Sequence, residues 1–381
     1  MNKTMKRISA LLLALAMQLA LIGFGCPAAC AAGAPELPGL TFEAETPLQY
    51  AQCFHLYRYE GGYTLISILS GGEFLVVPEG GQVPDGLDSS ITVLQKPLDR
   101  IYLAATSAMS LFNAIGAIDH IRLTGTRASG WYIDAAVDAL NSGAMLFSGK
   151  YSEPDYELMI SEGCNLAIES TMIYHTPKVK EMIEALDIPV LVDRSSYEAH
   201  PLGRTEWIKL YAALVGKEEE AAAFFDEQAS VISELENYET TGKKVAFFAV
   251  NSDGSVVIRK PSDYIPKMIA LAGGRYAFED LVTDQTATSI SITMENFYAA
   301  AVDADVLIYN ASISAPISTI DELLALDGLF ADFKGVQEGN VWCTGKSFYQ
   351  ATDIVGQMIR DIHLALTDGD ESQMTFLTRV S

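Results

Sequence analysis

The apolar positions of this chain change their period several times, and each change marks a different kind of element. Between Thr41 and Lys96 the apolar runs are short, β-branched and aromatic. Phe54–Tyr59 and Tyr63–Leu69 flank Glu60-Gly61-Gly62, and Gly71-Gly72 precedes Glu73–Val77. Runs of this kind separated by glycine pairs predict a small antiparallel meander, because tight hairpins need the positive φ that glycine supplies. Beyond Pro97, short apolar runs alternate with stretches of helical period. Strands are expected at Arg100–Ala104, Ala144–Phe147, Leu166–Ile168 and Pro189–Val192. Helices are expected at Ala108–Ile115, Trp131–Asn141, Pro154–Glu162 and Pro177–Leu186. This alternation builds a parallel sheet from βαβ units.

A helical region then interrupts, over Arg204–Val215 and Glu218–Tyr238. In its second half Ala222, Phe225, Ala229, Ile232 and Leu235 recur at spacings of three and four, with acids on the other face. Thr240-Thr241-Gly242 ends it. The alternation restarts with a strand at Val245–Val250 and a helix at Tyr264–Ala272. It continues through a helix at Glu295–Ala301 and a strand at Val306–Asn310 to a helix at Ile320–Leu326. A strand at Asn340–Cys343 and a last helix at Thr352–Leu366 complete it. The fold class is therefore α/β: two Rossmann-like lobes with central parallel sheets, joined by a long rigid α-helix, with an extra strand-rich segment in front. The expected boundaries are a leader over 1–31, a first lobe over 41–203 that includes the strand-rich extension 41–96, a helical linker over 204–241, and a second lobe over 242–381.

The leader reading comes from the start of the chain. Lys3, Lys6 and Arg7 precede an apolar run from Ile8 to Gly25, and the small residues Cys26-Pro27-Ala28-Ala29-Cys30-Ala31-Ala32 follow. This is the order of a secretory signal, so export is expected. Cys26 or Cys30 could carry a lipid, and cleavage after Ala31 or Ala32 is the alternative; the residues leave this open. Some 350 residues remain after the leader, more than one hydrophobic core usually holds.

Net charge is −24, or −27 without the three positive residues of the leader. A nucleic-acid binder needs a basic footprint, so that class is excluded. Cys53, Cys164 and Cys343 are far apart and form no CxxC pair, which leaves no metal or redox signature and favours buried, apolar cysteine.

Several blocks, in order, carry a resemblance. They begin with Lys96-Pro97-Leu98-Asp99-Arg100-Ile101, then Ala105-Thr106-Ser107-Ala108-Met109 and Ile115-Gly116-Ala117. Pro154-Asp155-Tyr156-Glu157 leads into Asn165-Leu166-Ala167-Ile168, and Leu186-Asp187-Ile188-Pro189-Val190 follows. Met268–Gly274 precedes Glu295 and Ala304-Asp305-Val306-Leu307-Ile308. From Ile91 to Leu366 the chain resembles the substrate-binding proteins of iron-siderophore, haem and cobalamin ABC importers, the class III periplasmic binding proteins. His200–Leu210 is similar to a metal-complex-binding branch of them, whereas the long segment before Lys96 departs from their usual short N-terminus.

That resemblance implies a ligand between the lobes, and it implies that Glu157 and Glu295 sit on the outer tips to pair with permease arginines. Charge pairs of that sort fix register and speed encounter; the alternative is an ordinary solvated acid. Ligands of open α/β sheets lie at the carboxyl ends of the strands. On that rule the expected contacts are Arg127, Trp131, Tyr132, Lys150, Tyr174, His175, Arg194, Arg259 and Tyr349. Arginine's planar fork suits the anionic oxygens of ferric siderophores and haem propionates, and the aromatic residues suit a flat or catechol-bearing ligand. Tyr174 or His175 could ligate haem iron, with polar lining as the alternative.

No GxSxG, GxxxxGK[ST] or HExxH motif occurs, so no enzyme is expected and no catalytic or metal site is assigned. A surface adhesin is the rival of another class. The expected partners are a small metal-complex ligand (ferric siderophore first, haem or cobamide next) and an importer permease. The expected protein is a monomer outside the cytoplasm, touching the membrane only through a lipid anchor.

Overall fold

The computed structural model describes residues 33–235, 240–282 and 288–381. The leader and both candidate lipidation cysteines, Cys26 and Cys30, lie outside the described residues. Among the described residues no helix is long and apolar enough to cross a membrane.

The extension is a five-stranded sheet in the order β1 (Phe42–Glu45), β2 (Phe54–Tyr59), β3 (Tyr63–Ile68), β4 (Gly72–Val77), β5 (Ile91–Gln95). Its first four strands are antiparallel, as the glycine pairs predict. β5 runs parallel to β4 and so departs from a pure meander. The reason is the connection: residues 78–90 cross back over the sheet instead of turning tightly, and parallel strands need such a crossover.

The first lobe's sheet contains β6 (Ile101–Leu103), β7 (Ile121–Thr124), β8 (Leu146–Phe147), β11 (Leu166–Ser170) and β12 (Val190–Asp193). They are all parallel, in the order β12-β11-β6-β7-β8. The intervening β9 (Gly149–Lys150) and β10 (Glu153–Pro154) form a separate small hairpin. Helices α1 (Met109–Ala114), α2 (Asp134–Ser142), α3 (Tyr156–Ser161) and α4 (Pro177–Glu184) connect the strands. β7 escapes the sequence pattern because its four residues, Ile-Arg-Leu-Thr, carry a charge in the middle of a very short run.

The bridge is three successive helices and not one: α5 (Pro201–Glu206), α6 (Ile208–Val215) and α7 (Glu218–Leu235). α6 ends at Gly216, whose φ of +74° closes the helix in the left-handed conformation that glycine adopts without strain. α7, with 18 residues, spans about 27 Å. The expected end of the second helical stretch at Tyr238 lies outside the described residues. Ile208–Val215 is apolar on nearly every side, which dictates burial. Trp207, Ile208, Leu210, Tyr211 and Leu214 are indeed fully buried. One hydrophobic core runs from Phe54 of the extension through Trp207 and Phe225 of the bridge to Ile265 and Ile359 of the second lobe.

The second lobe places parallel β13 (Lys244–Val250), β17 (Val306–Tyr309) and β18 (Val341–Thr344) at its centre. Antiparallel β14 (Val256–Arg259) and β16 (Ser289–Ile292) flank one side, and β19 (Leu377–Arg379) the other. β15 (Arg275–Tyr276) pairs with the start of β13. Helices α8 (Tyr264–Leu271), α9 (Met294–Ala301), α10 (Ile320–Leu326), α11 (Lys334–Gln337) and α12 (Val355–Thr367) complete it.

Candidate functional site

In the first lobe the sheet order puts the topological switch between β6 and β11, where the chain leaves one strand for one side and the next for the other. A crevice forms outside the carboxyl ends at such a point. A cavity of about 370 Å³ lies there. Ser107 beyond β6, Ser170 and Thr171 at the end of β11, and Asp193 and Ser195 at the end of β12 form its first-lobe wall. Thr288 and Ser289 of the second lobe face them. Local hydrogen bonds fix this wall. Asp193 accepts from the Ser107 hydroxyl at 2.9 Å and from the Ser195 N–H at 2.6 Å. The Ser170 hydroxyl caps the following 3-10 turn by accepting from Met172 N–H at 3.3 Å. A second cavity of about 510 Å³ lies further along the lobe interface. Ser110 and Asn113 border it from one lobe, and Asp353 and Ile354 from the other.

The expected contact residues fall into separate groups. Arg127, Trp131, Tyr132 and Lys150 follow β7 and β8, at the far side of the sheet from the 370 Å³ cavity. Arg127 is exposed, with its guanidinium 4.0 Å over the Phe147 ring. Trp131 is 4% exposed and donates its indole N–H to Thr126 O, inside its own loop. Tyr132 is exposed at the second cavity. Lys150 is exposed on the β9–β10 hairpin. That hairpin requires Gly149, whose φ is +80° and where an added Cβ would stand 2.2 Å from Glu153 O.

His175 lines the 370 Å³ cavity together with Met172, one 3-10 turn apart, and Tyr174 beside it is exposed. Arg194 is absent from the cavity wall. Its guanidinium lies 4.7 Å over the Tyr197 ring, and its buried Nε has no hydrogen-bond partner among the described residues.

Arg259 is held inside the second lobe, donating Nε to Asp263 Oδ1 at 3.1 Å and Nη2 to Asp263 Oδ2 at 2.5 Å, with Thr288 Oγ1 at 3.3 Å. Burial works against its charge, but the Asp263 carboxylate outweighs it and holds the guanidinium pKa above its ordinary value. The Tyr349 ring lies 5.8 Å from that guanidinium, and its hydroxyl accepts from Asn310 Nδ2 at 2.8 Å. Burial pushes the Tyr349 phenol up to about 12, so it stays a neutral hydroxyl at physiological pH.

Glu157 and Glu295 occupy matching places. Each is exposed and is the second residue of a short helix, α3 or α9, that leads into a parallel strand. Asp155 caps α3 by accepting from Leu158 N–H, and Thr293 caps α9 by accepting from Asn296 N–H. A helix that connects parallel strands runs against them, so both acids stand on the face where the strands end and the cavity opens. Its own backbone N–H, with the Thr293 hydroxyl, holds the Glu295 carboxyl below the usual carboxylate range.

Sequence reasoning puts the loops of Ser107 and Ser195 at the cleft but missed Ser170, Thr171, Thr288 and Ser289 of the cavity wall, and Gln350, described below. Serines carry no periodic signal, and what places them is the strand order.

No protein-family model matches the chain. It is 25% identical over 304 residues to an uncharacterized lipoprotein of Methanocaldococcus jannaschii, covering 76% of this chain and 70% of that one. A second uncharacterized lipoprotein of the same organism is 25% identical over 347 residues, covering 85% and 84%. Among solved structures it is similar to the periplasmic haem-binding protein HutB of Vibrio cholerae, with a TM-score of 0.56 at 15% identity, covering 68% of this chain and 97% of that one. The catecholate-siderophore-binding protein VctP of the same organism matches with a TM-score of 0.56 at 11% identity, covering 69% and 92%. The petrobactin-binding protein YclQ of Bacillus subtilis matches with a TM-score of 0.55 at 12% identity, covering 70% and 92%. The chain has the two-lobed α/β fold of these binding proteins.

Proposed function

We propose that this chain is an extracytoplasmic solute-binding protein of an ABC importer. It captures an iron complex, a ferric siderophore, between its lobes and delivers it to the permease. The observation that carries this reading is the 370 Å³ cavity at the strand switch of the first lobe, closed from the other side by Thr288 and Ser289. Its volume falls in the range of small-molecule sites. The fold, shared with binding proteins for siderophores and haem, agrees with it. So do the lipoprotein names of the two relatives, which favour an anchor at Cys26 or Cys30 outside the cytoplasm.

The monomer works in two steps. Cargo enters the cleft, where the serine and threonine hydroxyls supply rotatable donors and acceptors. Arg127 and Lys150, exposed beyond β7 and β8, stand toward the other end of the lobe interface and do not line this cavity. Glu157 and Glu295 then dock the loaded lobes on permease arginines. Haem or a cobamide is the second reading, favoured by His175, whose exposed imidazole faces the cavity and suits axial metal ligation.

The test is titration of the mature protein with ferric siderophores, haemin and a cobamide, followed by calorimetry and native mass spectrometry. Saturable one-to-one binding of one of them at submicromolar concentration is expected. Failure of all three to bind sinks the metal-complex reading.

A further inference from the structure

We propose that Gln350 is a clasp that ties the two lobes together at one end of the cleft, so that the cargo cavity has its mouth at the other end. Gln350 follows the 3-10 turn Lys346–Tyr349, beyond β18 of the second lobe. Its amide reaches across to the loop beyond β7 of the first lobe and uses both ends. Nε2 donates to Gly130 O at 2.7 Å, and Oε1 accepts from Tyr132 N–H at 2.9 Å. A primary amide has one acceptor and one donor end, so this pair of bonds fixes its orientation. The partners are backbone groups 220 and 218 residues away. They are separate from the polypeptide bridge, which joins the lobes elsewhere.

The strand order shows what the clasp does. In the first lobe, reading β12-β11-β6-β7-β8, the clasp sits over β7 and the cavity over β12, β11 and β6. In the second lobe, reading β16-β14-β13-β17-β18-β19, the clasp leaves from β18 and the cavity touches the start of β16. Clasp and cavity thus occupy opposite ends of one seam. Closing the β7–β18 end leaves the β12–β16 end as the entrance. The exposed residues Met172, His175, Ser196 and Tyr197 surround the cavity there. Gln350 is therefore a positioning residue: it sets how far the lobes part and so how fast cargo enters and leaves. Its definition is geometric and holds for any cargo, so its test needs no ligand and is independent of the siderophore assignment.

The test compares the mature protein with Gln350→Ala, which loses both bonds, and Gln350→Glu, which keeps the size and an acceptor but loses the donor to Gly130 O. Two readouts are taken. The first is hydrogen exchange at the Tyr132 amide. The second is the distance across the mouth, from spin labels on Ser196→Cys and Ser291→Cys in a Cys164→Ala background; Cys53 and Cys343 are buried. Exchange at Tyr132 is expected to be roughly tenfold to a hundredfold faster in Gln350→Ala, as befits two lost hydrogen bonds. The mouth distance is expected to lengthen and broaden in both variants, while the melting temperature stays near that of the parent. Equal Tyr132 exchange in parent and Gln350→Ala, or an unchanged mouth distance in both variants, overturns the clasp.

Discussion

Two regions of this molecule bury glutamates, and they treat them in opposite ways. At the seam between the extension and the bridge, Glu206 and Glu198 are 0% and 2% exposed. Glu206 accepts from the N–H groups of Gln49, Tyr50 and Ala51 at 2.8–2.9 Å and from Lys209 Nζ at 2.8 Å. Glu198 takes the next two N–H groups, Gln52 at 2.8 Å and Cys53 at 3.0 Å, and the indole N–H of Trp207 at 2.9 Å. Five successive backbone donors of the extension are thus satisfied by two carboxylates, Glu206 at the end of α5 and Glu198 just before that helix.

In the first lobe Glu169 of β11 is 0% exposed, and neither carboxylate oxygen has a hydrogen-bond partner among the described residues. Burial pushes its carboxyl up to about 8. The difference is one of surroundings and not of residue type. A buried carboxylate surrounded by aligned donors has both oxygens satisfied and joins two elements. The same group among Tyr102, Leu123 and Ala167 gives the charge up.

The largest effect is expected at the seam. Glu206→Ala leaves three backbone donors and Lys209 without their acceptor and should cost about 3–5 kcal/mol in urea unfolding. A loss below about 1 kcal/mol would mean that the extension is attached by its apolar face alone. Next comes Glu169, where the sign is reversed. Its native pKa lies above the unfolded value of about 4.3, so the native state binds the extra proton between that value and about 8. Stability should therefore fall as pH rises through this window. Glu169→Gln should remove that slope and be more stable than the parent by about 2–4 kcal/mol at pH 9, with the gain shrinking toward pH 4. Parallel pH profiles for the two proteins would show that Glu169 is ionised in the native state. The smallest stability effect belongs to the exposed acids. Glu157→Lys with Glu295→Lys should change stability by less than about 0.5 kcal/mol. The same double variant should abolish cargo uptake with cargo affinity unchanged, and normal uptake would remove their docking role.

Much of the architecture was legible because it rests on local pattern. Alternating short apolar runs and helical stretches gave the two α/β lobes, and glycine pairs gave the extension's antiparallel strands. The apolar sequence around Trp207–Val215 marked the helical bridge. What escaped depends on distance in sequence. β7 is too short and too charged to show a period. The break in the bridge at Trp207 interrupts a stretch that reads as one helix, whereas the break at Gly216 falls in the gap between the two helical stretches that the sequence predicts. The Arg259–Asp263 pair was available, since four residues separate them, and it shows that a cation near a cleft can already be committed to a neighbour. The Gln350 contacts to Gly130 and Tyr132, and the capture of the Gln49–Cys53 amides by Glu206 and Glu198, have no local signature at all. They exist only once elements far apart in sequence have docked.

The central claim is that cargo sits between the lobes at the β6–β11 switch. Hydrogen exchange with and without a saturating ligand, taken from whichever of the ferric siderophore, haemin and cobamide titrations shows binding, tests it most directly. New protection is expected in the segments holding Ser107, Thr171, Ser195 and Ser289, with little change across the extension strands β1–β5. Protection confined to the extension, with these four segments unchanged, would contradict it.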